Sequence, residues 1–245
     1  MKRSEINAIM KDGLAFLKRM NFLMPPFAHW SPSDWKRKGA ECHDIIDQQL
    51  GWDITDFGSG DFNKVGLFLF TIRNGKFSDL KLKDGKVYAE KIMIVRENQL
   101  TPTHFHYQKM EDIINRGGGN LVIRLWNSTP SEKLAQSTVT VAMDGVQVKV
   151  KAGGTITLKP GESVCLPQRL YHRFWGQAGK GMVLVGEVSR VNDDHVDNRF
   201  FDPVGRFPQI EEDVAPLHLL YNDYAKYYRG LAASGKRRGN DCTCH

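Results

Sequence analysis

Cysteine is scarce in this chain of 245 residues: there are four, at Cys42, Cys165, Cys242 and Cys244. Two fall in the last four residues and the others are far apart in sequence. They do not read as a disulfide framework, and a reducing cytoplasm is the simpler setting. No unbroken apolar run of about 18 residues occurs, so no membrane-spanning helix is expected. The charged start, Met1 to Glu5, leads into an amphipathic segment and not into the apolar core of a signal peptide. Dense charge is also lacking. The net charge of +6 is spread along the chain, and the only cluster, Lys236, Arg237 and Arg238, lies in the tail. A nucleic-acid binder concentrates its cations on one face or stripe, so nucleic acid is not an expected partner. No internal repeat is present.

What remains is ordinary globular material, 41% apolar and 25% charged, long enough for one large all-β domain or a barrel with helical extensions. Residues 4–22 read as a helix: Ser4 is placed to cap it, and Ile6, Ile9, Met10, Leu14 and Leu17 make one apolar stripe before Pro25 and Pro26. Further helical stretches are expected from near Ser33 and over 40–50, and a last one over 216–228. Between them the pattern is strand-like. Apolar runs cover residues 65–72, 87–95, 121–126, 139–143, 146–150, 155–158, 163–166, 172–175 and 182–188. Asp84-Gly85 and Asp144-Gly145 read as hairpin turns. Short strands in series with no interleaved helices point to a sandwich or barrel.

The chemistry concentrates in residues 103–112. His104 and His106 are two apart, so on a strand both imidazoles share a face. Glu111 follows after a bend that would return the chain toward the same ion. His172, in a later strand, is placed to cross beside the pair. Three imidazoles and a carboxylate suit Mn, Fe, Co, Ni or Zn and are too rich in nitrogen for a dedicated Ca site. An octahedral ion would keep two positions for water or substrate.

These residues resemble the cupins, whose first motif has a His-x-His-x(3 or 4)-Glu core with glycines around it. Here Gly117 and Gly118 supply the trailing glycine, and Asn98 stands at the leading position. Of the second motif, Gly161, Pro167 and His172 match, while Arg169 and Gly176 depart from it. The implied fold is an all-β, cupin-type β-barrel (jelly roll) with N-terminal helices and a short C-terminal helix. Residues 1–60 would form a helical extension packed on the barrel, 61–230 the barrel, and 231–245 a disordered tail ending in a Cys-x-Cys-His group. Across residues 1–228 the chain is similar to the bacterial D-lyxose isomerase family. The similarity rests on Lys2-Arg-Ser-Glu-Ile-Asn7, on the blocks at 51–58, 104–112, 118–126 and 186–189, on Asn192-Asp-Asp194 and Asp197-Asn-Arg-Phe200, and on the block at 205–212. It implies interconversion of D-lyxose with D-xylulose and of D-mannose with D-fructose, Mn2+ as the usual metal, and a homodimer.

An aldose–ketose isomerase must carry a proton between C1 and C2, which takes a positioned acid and base. Glu187 is one candidate. It shares a face with Val183 and Val185, and a carboxylate on a face lining the barrel is costly unless paired or used. The alternative is a carboxylate at the strand mouth facing water. Lys109, between His106 and Glu111, is the other. A nearby dication would lower its pKa, and the alternative is a solvated loop lysine. Asp194 and Arg199, in the polar loop 192–199, are the expected sugar contacts, with Trp52 and Trp175 as a possible aromatic wall. His195 reads as incidental, and His29, His43 and His218 as structural or exposed. The same ligand set could instead serve a cupin oxygenase holding Fe(II), or a non-enzymatic sugar-binding cupin. The hydroxyl-handling groups Lys109, Glu187, Asp194 and Arg199 speak against the first, and a buried base speaks against the second.

Overall fold

Alternation along the strands decides which residues face the barrel interior. The computed structural model describes residues 1–191 and 193–228; the expected disordered tail, with Cys242, Cys244 and His245, lies outside them. The chain begins with α1 (Arg3–Arg19), α2 (Pro32–Trp35) and α3 (His43–Asp47), then enters β1 (Gly51–Thr55), β2 (Leu67–Arg73), β3 (Tyr88–Val95), β4 (Thr101–His106) and β5 (Glu111–Gly118). Next come β6 (Leu121–Asn127), β7 (Val139–Met143), β8 (Val146–Val150), β9 (Thr155–Leu158) and β10 (Ser163–Leu166). The series ends with β11 (Leu170–Gly176), β12 (Val183–Arg190), β13 (Asn198–Phe200) and a single helical turn, α4 (Tyr224–Tyr227).

Two antiparallel sheets face each other. One has eight strands in the order β1-β2-β3-β12-β5-β10-β7-β8, the other five in the order β13-β4-β11-β6-β9. The core between them is built from inward positions such as Leu69, Met93, Val95, Ile113, Leu125, Leu158, Phe174, Val183 and Val185. The opposite face of the larger sheet carries Trp52, Ile54, Phe68, Phe70, Ile92, Ile94 and Leu184, and α1 packs there through Ile6, Ile9, Met10 and Leu17. Gly13 allows the close approach, because a Cβ there would stand 2.5 Å from Phe68 Cε1.

Several expectations change. Ser4 does not cap α1; Lys2 stands at the N-cap, and the Ser4 hydroxyl donates to Asp213 Oδ2 at 2.6 Å. The stretch before residue 60 is not wholly helical, since β1 pairs with β2 at the edge of the larger sheet. The Asp84-Gly85 hairpin is not formed. Strands β2 and β3 are paired, but they are joined by a longer connection containing a 3-10 turn, Phe77–Lys81. Asp144-Gly145 does turn β7 into β8, with φ of 47° and 85° as such a turn requires. The expected helix over 216–228 shrinks to a 3-10 turn, Tyr221–Asp223, running into α4.

Candidate functional site

Both sheets contribute to one cavity, in which charged and imidazole side chains meet an apolar wall. His104 and His106 point inward from β4, and His172 stands opposite His104 on the neighbouring β11. One ring nitrogen from each can be chosen so that all three lie within 4.8 Å of one another. The chain then leaves the smaller sheet, passes through residues 107–110, and re-enters the barrel in the larger sheet at Glu111. That crossing brings Glu111 Oε1 to 3.3 Å from His172 Nε2 and 3.5 Å from His106 Nε2.

The donor set fits a divalent ion. His104 Nδ1 lies 2.8 Å from the Pro102 carbonyl oxygen and His172 Nδ1 lies 3.0 Å from that of Leu170. Each contact orients its ring and leaves Nε2 for a ligand, as metal-binding histidines require. Burial pushes the pKa of all three imidazoles down, so they are neutral and able to ligate. Glu111 Oε1 and His106 Nδ1 are buried without a hydrogen-bond partner. Orphaned buried polar atoms are rare in folded proteins, and two of them at one centre mark a site that a ligand completes.

Beside the imidazoles lies a buried ion cluster. Lys109 Nζ stands 2.6 Å from Glu111 Oε2 and donates to Glu187 Oε1 at 2.7 Å. Glu187 also accepts from Ser189 Oγ at 3.2 Å. Lys109 is 2% exposed and Glu187 5%, so neither faces water. Burial alone would neutralise the ammonium, but Glu111 and Glu187 outweigh it and hold its pKa well above the ordinary lysine value. The depression expected from a neighbouring dication is opposed by these two carboxylates. Glu111 is held below its ordinary value, with the Lys109 ammonium overcoming the cost of burial.

Toward the mouth, Asp194 meets Lys91 Nζ at 3.5 Å and Arg206 Nη2 at 2.6 Å, and the same Nη2 reaches Asp53 Oδ2 at 2.5 Å. Arg206 Nη1, Asn198 Oδ1 and Thr101 Oγ1 are buried without partners, and all three residues line the cavity. Phe57, Phe174 and Phe200 supply the aromatic wall, with the Phe57 and Phe200 rings 5.7 Å apart.

Three of the expected substrate contacts do not line this cavity. Trp52 pairs with Phe70 and faces α1, where its ring stacks on Phe68 and its Nε1 donates to the Ala28 carbonyl oxygen. Trp175 faces outward from β11, against Arg124 and Arg173. Arg199 faces outward from β13, and its Nε donates to Glu132 Oε2 at 2.8 Å. Each is one residue away from a side chain that does line the cavity or its edge: Asp53, Phe174, and the pair Asn198 and Phe200. Lys91 carried the same signal as Glu187, a lone charge on an inward position of an apolar strand. Arg206 and Asn198 had no periodic signal.

A model of the D-lyxose isomerase family matches residues 1–224. The chain belongs to the D-lyxose isomerase family. Curated relatives of the family agree: the D-lyxose/D-mannose isomerase of Serratia proteamaculans is 49% identical over 228 residues, 93% of this chain and 99% of that protein. That of Escherichia coli O157:H7 is also 49% identical over 228 residues, covering 93% of this chain and all of its own length (100%). The chain is thus an enzyme, an aldose–ketose isomerase. Among solved structures it is similar to the L-ribose isomerase of Cellulomonas parahominis, with a TM-score of 0.59 at 15% identity over 86% of this chain and 98% of that one. The L-ribose isomerase of Geodermatophilus obscurus gives 0.58 at 15% identity with the same coverage. At that identity the likeness speaks for the shared β-sandwich fold alone.

Proposed function

We propose that the cavity interconverts D-lyxose and D-xylulose, and D-mannose and D-fructose, by proton transfer through an enediol. The observation that carries this reading is the buried Glu187 carboxylate, paired with the Lys109 ammonium and set beside the three-imidazole group. His104, His106, Glu111 and His172 would hold a divalent ion, and we propose Mn2+, which the family resemblance implies. The chemistry such an ion supplies when bound is Lewis-acid stabilisation of charge on the two substrate oxygens.

The protein's own groups do the rest. In the aldose-to-ketose direction Glu187 takes the proton from C2. The C–H electron pair becomes the C1=C2 bond, and charge moves onto the C1 oxygen. The Lys109 ammonium, kept charged by Glu111 and Glu187, stands ready to donate a hydrogen bond to that oxygen. The Glu187 carboxyl then returns the proton to C1 while the O2 hydroxyl proton passes to O1, so that O2 becomes the carbonyl and O1 the hydroxyl of the ketose. Lys91, Asp194 and Arg206 would hold hydroxyl groups away from the reacting carbons, against the apolar wall of Phe57 and Phe200. A charged, hydroxyl-matching lining of this kind supports sugar isomerisation over dioxygen chemistry. A homodimeric assembly and a cytoplasmic setting complete the proposal, the first from the family resemblance and the second from the cysteine usage.

The test is anaerobic incubation of the Mn2+-loaded protein with D-lyxose or D-mannose in deuterated water. Ketose should form, with deuterium entering the position that gains the proton. Absence of ketose from both sugars would sink the reading.

A further inference from the structure

Residues 107–110 join the two sheets and carry Lys109 between two of the proposed metal ligands, His106 and Glu111. Three consecutive backbone amides of this connection donate to one residue. Tyr107 N donates to the Asp197 carbonyl oxygen at 3.1 Å, Gln108 N to Asp197 Oδ1 at 2.8 Å, and Lys109 N to Asp197 Oδ2 at 3.1 Å. Asp197 is 1% exposed, and its carboxylate makes no ion pair among the described residues. Both oxygens are spent on the backbone of the connection.

Asp197 also belongs to the loop that meets the sugar. Val196 N and Asp197 N both donate to the Asp193 carbonyl oxygen, at 3.2 and 3.0 Å, closing a turn that contains Asp194. The next residue, Asn198, pairs with His106 across β13 and β4. One carboxylate thus fastens the segment bearing Asp194 and Asn198 to the segment bearing Lys109.

We infer that Asp197 is a positioning residue, which sets the Lys109 ammonium against Glu187 and couples its placement to the sugar-contact loop. The inference rests on the proposed role of Lys109. The carboxylate is suited to this because charge-assisted bonds to backbone amides are short and directional. An asparagine of the same shape accepts at one oxygen only and turns an NH2 toward the other amide. The connection would relax, and a misplacement of about 1 Å in catalytic geometry costs about 100-fold in rate.

The experiment is a double-substitution cycle on the Mn2+-loaded full chain, made from Asp197→Asn, Lys109→Met and both together. Asp197→Asn should lower kcat by about 10- to 100-fold with KM within about 3-fold and metal content unchanged. In the Lys109→Met background the same substitution should cost less than about 2-fold, because the group it positions is gone. Equal costs in the two backgrounds, or metal loss that accounts for the fall in kcat, would overturn the inference while leaving the Lys109 reading intact. Near-normal turnover in Lys109→Met alone would overturn both. The unmodified protein gives a second readout. The amide hydrogens of Gln108 and Lys109 should exchange slowly, and fast exchange at both would also overturn the inference.

Discussion

Arg3 and Lys109 are both buried cations clamped by two carboxylates, and their two clusters differ in what they leave over. Arg3 is 0% exposed. It donates twice to Glu212, from Nε and Nη2 at 2.8 Å, and twice to Asp223, from Nη1 at 3.0 Å and Nη2 at 2.9 Å. Asp223 Oδ2 accepts the Leu220 amide as well. No polar atom of that cluster is orphaned, and it ties the start of α1 to the chain's last described segment. Lys109 is clamped as tightly by Glu111 and Glu187, yet its cluster stands beside two buried atoms without partners, Glu111 Oε1 and His106 Nδ1. Buried charge by itself therefore does not distinguish a fastening from a site. Unfilled hydrogen-bonding capacity gathered at one cavity does, because orphaned groups that share a cavity are tolerated where a ligand satisfies them.

The contrast is broken most severely at the imidazoles. His106→Ala or His172→Ala should remove bound metal and abolish turnover, as should exhaustive chelation of the unmodified enzyme, with Mn2+ restoring the chelated enzyme only. Metal analysis beside the ketose assay checks this. Arg3→Met is the counterpart. It strands the Asp223 carboxylate and should cost about 3–5 kcal/mol of stability in denaturant unfolding, while kcat of the folded enzyme stays within about 2-fold. The same substitution should change the acid response. Glu212 is held below its ordinary pKa chiefly by its bonds to Arg3. Its contribution is therefore present above the unfolded value of about 4.3 and lost as pH falls through the lower folded value. Melting temperatures between about pH 5 and pH 3 should fall more gently in Arg3→Met than in the parent.

Arg206 sharpens the comparison, because it has features of both clusters. Two carboxylates, Asp53 and Asp194, fix one end of its guanidinium, and Nη1 is left buried and unpaired. By the criterion of unfilled capacity it belongs to the site. Arg206→Lys, which removes that donor and keeps the charge, should raise KM for the sugar by about 10-fold, the cost of about 1.4 kcal/mol of binding, with a smaller change in kcat. The smallest effect is expected at Trp175 and Arg199. Trp175→Phe and Arg199→Lys should leave kcat and KM within about 2-fold.

Those last two positions show where the sequence was legible. The four proposed metal ligands could be grouped because His104 and His106 are two apart on a strand, and Glu187 stood out against Val183 and Val185 on the same alternation. Strands β7 to β10 followed directly from their apolar runs and turns. β5 was not anticipated, because its inward positions are Glu111, Ile113 and Asn115, which do not read as an apolar stripe. β1 and β13 are short, and without them the facing of Trp52 and Arg199 had no reference. Shifting by one residue reverses the face of a strand, and that step separates Trp52 from Asp53 and Arg199 from Asn198 and Phe200. Trp175 is three residues from His172, so the strand reading already placed it on the opposite face. Arg206 lies in an irregular segment, where no periodicity points a side chain anywhere; only the fold brings it to the cavity.

In the proposed mechanism Glu187, the carboxylate beside the orphaned atoms, moves the proton. The most direct measurement is the rate at which the substrate's C2 hydrogen exchanges with deuterated water, followed alongside turnover in Glu187→Gln with its metal content verified. A general base contributes about 100- to 10,000-fold. Both rates should fall together by that factor, while bound metal and sugar affinity are retained. Near-normal exchange and turnover in a fully metal-loaded Glu187→Gln enzyme would contradict the account.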